Sequence, residues 1–177
     1  MVSRYDVRVA VYNEIESVVS GTVPSDNVTT EMPDGPEDYP AVTHQVSFEE
    51  LEYNRGSAAA VGESRDANGH VESEVYTQPI RATFTVTVSA TSDGTHENIH
   101  ESLKDHFNAY SKLQADASDI HPDVDGVDTT ASVPVHAPER SEPVYAKEFE
   151  VLVDFQKFST QSVDAIEEYD IDVTTNG

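Results

Sequence analysis

Apolar residues recur along the chain with two different periods, and stretches of each period alternate. Between residues 3 and 20, Val7, Val11, Ile15 and Val18, flanked by Ala10 and Val19, share one face at helical spacing, which predicts a first helix. Ser3 followed by Asp6 fits a capping box, and Gly21 a stop. Residues 22–40, rich in Pro and acids, read as a loop. Val42, His44, Val46 and Phe48 then alternate with Thr43, Gln45 and Ser47, predicting a strand over 42–48. The clearest strand covers 79–90. There Ile80, Ala82, Phe84, Val86, Val88 and Ala90 alternate with Arg81, Thr83, Thr85, Thr87 and Ser89. One dry and one wet face point to an antiparallel or mixed sheet rather than a doubly covered parallel one. Past the turn Ser92-Asp93-Gly94, the stripe Ile99, Leu103, Phe107, Tyr110 and Leu113 predicts a second helix over 95–113. Tyr145, Phe149, Val151, Val153 and Phe155 share one face of a last long strand over 145–155. Ser159–Tyr169 reads as a short helix and Ile171–Val173 as a terminal strand.

Two stretches break this rhythm. Residues 54–73, with Asn54-Arg55-Gly56, an Ala run and Asn68-Gly69, and the acidic residues 114–143 read as long exposed loops. The expected architecture is therefore α+β, a single domain over 1–177. It would hold a single antiparallel-rich sheet with two helices packed on one face and long acidic loops.

Charge changes the picture more than length does. The chain carries 34 acidic against 10 basic residues, a formal net charge of −24, and 6 of the 10 basic residues are Arg. Self-repulsion on that scale destabilises a compact chain unless concentrated counterions screen it. With few Lys and abundant Ala, Val, Thr and Ser, the composition resembles that of proteins from salt-in halophiles. With no Cys, disulfides, thiolate metal sites and Cys nucleophiles are excluded. The sequence holds no apolar run of membrane-spanning length, and its start lacks the basic and apolar regions of a signal peptide, so no membrane association is expected. Specific binding of free nucleic acid needs clustered Lys and Arg, which are missing.

Three constellations stand out as candidate chemistry. His96-Glu97-Asn98-Ile99-His100 matches HExxH, in which two His one helical turn apart bind zinc and the Glu acts as base. Over eleven residues the stretch resembles the metzincin zinc proteases, with His106 at the place of a third ligand. That family needs Gly where Leu103 stands, so that the helix ends and the third His swings inward. Leu103 continues the apolar stripe instead, and an unbroken helix carries His106 about 120° from His100. Neither a bound metal nor another cofactor is expected. The second constellation is Asp116, Asp119, Asp123, Asp125 and Asp128, an oxygen-rich group whose spacing departs from the EF-hand pattern. The third is Arg55, Arg65 and Arg140, scarce cations in the expected loops. Arg pairs carboxylates bidentately, so these three are the expected subunit or partner contacts, with local loop bracing as the alternative.

In element order and in two segments the chain resembles the tail terminator proteins (tail completion, or neck terminator, proteins) of tailed viruses. One segment is the strand Arg81-Ala82-Thr83-Phe84-Thr85-Val86-Thr87-Val88, leading through a polar turn into the helix ending Phe107-Asn108-Ala109-Tyr110. The other is Glu148-Phe149-Glu150-Val151-Leu152-Val153-Asp154-Phe155, followed by Val163 and Ile166. The resemblance implies a structural virion protein of the head–tail neck, not an enzyme and without a cofactor. Such a protein forms a ring, usually a hexamer of itself, that terminates the tail tube. Its partners would be the tail tube protein and the head-side connector or adaptor. DNA would pass through the lumen without specific binding, and the chain would reside in the virion after assembly in the host cytoplasm. The acidity would suit a virus of a halophilic archaeon. Two alternatives stay open: a zinc-dependent hydrolase using His96, Glu97 and His100, and a halophilic cellular binding domain.

Overall fold

Helix α1, Arg4–Val19, starts where the sequence caps it. The Ser3 hydroxyl accepts the Asp6 amide while the Asp6 carboxylate accepts the Ser3 amide at 2.8 Å, so two otherwise orphaned donors are satisfied together. Val7, Val11, Ile15 and Val19 form its buried edge. Val19 takes the place expected for Val18, which packs on the flank of the core. The computed structural model describes residues 3–31, 33, 35, 38–51, 59–135 and 143–162.

After a short 3-10 turn at Ser25–Asn27 the chain enters a seven-stranded sheet. Its strands are β1 (Val28–Thr29), β2 (Ala41–Glu50), β3 (Ala59–Arg65), β4 (Val71–Ala90), β5 (Val124–Thr129), β6 (Val133–Pro134) and β7 (Tyr145–Ser162). Helix α2, Asp93–Ser111, follows β4. The main order is β1-β2-β4-β7-β5, with β3 beside β4 and β6 beside β7. Among the described residues only the two-residue β1–β2 pairing is parallel.

Register fixes which side chains share a face. Val86 stands opposite His44 on β2 and Phe149 on β7, Phe84 opposite Val46 and Val151, and Ala82 opposite Phe48 and Val153. These residues join Val7, Val11, Ile15, Leu103 and Phe107 of the helices in one core cluster, apart from His44, whose ring packs at a tilt of 55° against Tyr12 of α1. Both helices thus cover the same face, as the alternation implied. The opposite face holds the Thr and Ser of β4 with Glu148, Glu150 and Leu152 of β7. An Arg81–Asp154 pair crosses it, with two N–O distances of 2.7 and 2.8 Å.

Several expectations need correction. Residues 59–65 and 71–78, expected within or beside an exposed loop, are β3 and the first part of β4, joined through Asp66–His70. The 114–143 stretch is likewise not one acidic loop, since it holds a 3-10 turn, β5 and β6. Residues 159–162 end β7 rather than begin a helix. The rest of that expected helix and the expected strand at 171–173 lie outside the described residues. Leu113 leaves the α2 stripe: the helix ends at Ser111, and a positive φ of 55° at Leu113 turns its side chain to solvent. Among the described residues no helix is long and apolar enough to cross a membrane.

Candidate functional site

The β4–β7 pairing is longer than the core requires. All 18 residues of β7 pair with β4, from Tyr145 opposite Ala90 to Ser162 opposite Ser73, without a register break. The cluster of core residues stops at Ile80 and Phe155. Beyond them, β4 from Val71 to Pro79 and β7 from Gln156 to Ser162 run on as an arm, with β3 as its third strand. Every described side chain of β4 between Val71 and Pro79 is half-buried or exposed. On one face of the arm, continuous with the open face of the sheet, lie Val75, Thr77, Pro79 and Phe158. Among the described residues, β3 on one side and the end of β7 on the other present unpaired edges. Such edges invite pairing with another chain.

Pro79 marks where the arm leaves the body. Its carbonyl accepts the Leu51 amide at 3.0 Å, so its donorless nitrogen faces the same side, between the β2 and β3 pairings. Glu50 pairs with Ile80 and Ala59 with Thr77, so among the described residues Pro interrupts the ladder where no paired strand needs its amide.

Of the three Arg singled out by sequence, Arg65 lies at the tip of this arm. Its guanidinium pairs with Glu63, with Nε to Oε1 at 2.7 Å, and donates to the Gly69 carbonyl at 2.7 Å. It is exposed and braces the β3–β4 turn. Asp66 closes the same turn by accepting the His70 and Asn68 amides at 2.8 Å, which hold its carboxyl below the usual range. Arg55 and Arg140 lie outside the described residues, so the three are not brought together on them.

The HENIH segment occupies the first turns of α2. Leu103 is fully buried and the helix runs through it. His106 consequently points to α1, its Nε2 2.8 Å from a Glu14 carboxylate oxygen, and away from His96 and His100. Those two rings are buried and stack with centroids 6.3 Å apart, and His100 meets Phe149 edge-on at 5.5 Å. Burial, above all, pushes both imidazoles below their ordinary pKa. Glu97, which HExxH chemistry would use as base, accepts Lys147 Nζ from β7 at 2.6 Å, and that bond holds its carboxyl low. The HExxH residues therefore do not form a three-histidine centre with an open cleft.

The acids of 116–128 are dispersed. Asp116 caps the 3-10 turn by accepting from Ser118, Asp125 takes the Gln156 amide at 2.9 Å, and Asp128 accepts the Thr129 amide. The signal that sequence reasoning missed is the arm, whose alternation is blurred by Glu72, Glu74 and Pro79.

No family model matches the chain, and no curated protein matches it in sequence. Among solved structures, it is similar to the sheath/tube terminator of an extracellular contractile injection system (PVC) in its extended state. The TM-score is 0.46 at 12% identity. The match covers 100% of this chain, which spans 65% of the length of that one.

Proposed function

We propose that the chain is a non-enzymatic, ring-forming tail terminator, a virion protein that caps the tail tube at the head–tail neck. The observation that carries this reading is the arm. A three-stranded extension beyond the helix-covered core adds little to burial within one subunit. It does offer backbone edges and a half-apolar face at a fixed distance from the body. Pairing of the β3 edge of one subunit with the β7 edge of the next would be head-to-tail, and head-to-tail contacts close into a ring when the rotation between subunits divides a full turn. The tail resemblance of the β4–α2 and β7 segments supplies the class of ring.

In this reading Arg55 and Arg140 face carboxylates of neighbouring subunits or partners. Arg65 braces the arm tip that makes the contact, through Glu63 and the Gly69 carbonyl of its own chain, and the acidic surface lets DNA pass the lumen without binding. The zinc-hydrolase alternative loses ground, because Glu97 is held by Lys147 and His106 by Glu14. The native mass of the chain in about 3 M KCl, where the Debye length is below about 3 Å, tests the assembly. A closed multiple, six copies in the simplest case, alone or on addition of tube protein, supports the ring. A monomer that stays monomeric with its tube protein present contradicts it.

A further inference from the structure

The first turns of α2 hold an arrangement that the tail reading does not use. Asp93, His96 and Glu97 stand at positions i, i+3 and i+4 of the helix, hence on one side of it. One ligand atom from each lies within 4.8 Å of the others. We infer that these three residues form a site for a divalent cation of the zinc type, bound through one imidazole nitrogen and two carboxylate oxygens.

Three features support the assignment. His96 is only 3% exposed, yet neither of its ring nitrogens has a hydrogen-bond partner among the described residues. Leaving a buried polar atom unmatched costs on the order of 1–3 kcal/mol. A cation on one nitrogen gives that ring a partner, and a neutral buried imidazole is the form that ligates. Glu97 is oriented by Lys147 through Oε1, so Oε2 is left for the cation while the ammonium orders the carboxylate. Asp93, exposed at the helix start, brings a second negative charge against the helix dipole, which on its own disfavours a cation there. Ligands of one zinc ion lie about 2.0–2.2 Å from it, so small side-chain rotations would close the group.

This set differs from the HExxH arrangement. Glu97 acts as ligand rather than base, Asp93 replaces the second histidine, and His100 keeps its ring against Phe149. Through Glu97 and Lys147 the cation would tie the start of α2 to β7, a structural role.

Equilibrium dialysis of the chelator-treated full chain against Zn2+ tests the site, in concentrated salt with excess Mg2+ to saturate the diffuse acidic surface. One Zn2+ should bind per chain, and equally in Glu101→Gln, which removes the same charge from an exposed position of the same helix. Asp93→Asn and His96→Ala should each weaken binding at least about tenfold. Because Asp93 is exposed, Asp93→Asn keeps the fold whether or not the site exists. Absence of a saturable equivalent, or wild-type binding by Asp93→Asn, would overturn the proposal.

Discussion

Leu113 combines two unfavourable properties: a left-handed backbone with φ of 55° and a side chain 92% exposed. It stands two residues past α2, where Gly is favoured because it lacks a Cβ to clash. Leu113→Gly should therefore raise stability by about 1 kcal/mol, read as a higher denaturation midpoint with an unchanged slope. His44 is a separate case. It is buried on β2 against Tyr12, its Nδ1 has no partner among the described residues, and burial, with Arg8 adding to it, lowers its pKa. The unfolded chain then binds a proton that the folded chain resists. Stability from this site is complete above the unfolded value of about 6.5 and is lost as pH falls towards the folded value. His44→Phe keeps a ring against Tyr12 and removes the titration. Denaturant melts from pH 7 to pH 5 should show a shallower acid loss in the variant than in the wild type, and parallel losses would contradict this account.

At the scale of elements, the arm is the part most open to test. Val75 and Phe158 share its open face without contributing to the core cluster. Val75→Asp and Phe158→Asp should leave the unfolding free energy within about 1 kcal/mol of wild type while abolishing the multiple seen by native mass. Variants that unfold would place these residues in the core instead, and variants that still assemble would free the arm from any role in contacts. The same region shows where sequence reading runs out. Both helices, β2 and the core halves of β4 and β7 were legible, because one face of each is dry and the apolar period survives. The arm was not, since neither of its faces is fully dry and Pro79 mimics a strand start. β5 was hidden differently. A bulge between Val124 and Gly126 inserts Asp125 into the strand, so its buried Val124 and Val127 are three residues apart rather than two. At the HENIH site the departure at Leu103 was readable, because an apolar stripe that continues keeps the helix whole. The approach of Lys147 to Glu97 was not, because it joins residues 50 apart through the tertiary fold.

For the whole molecule, the net charge of −24 dominates. At about 0.1 M salt the Debye length is about 10 Å, long enough for carboxylates across the surface to repel one another, and at 1 M it is about 3 Å. Circular dichroism during dialysis from about 3 M to about 0.1 M KCl should show loss of structure. Equal heat stability at both ends of the series would remove the argument for salt adaptation. Density for the neck of an assembled particle would decide whether the chain sits in a virion as proposed. A closed ring of copies of this chain is expected between the tail tube and the head-side connector, with the β3–β4–β7 arm of each subunit at a contact. A neck in which the tube meets the connector with no density for this chain would contradict it.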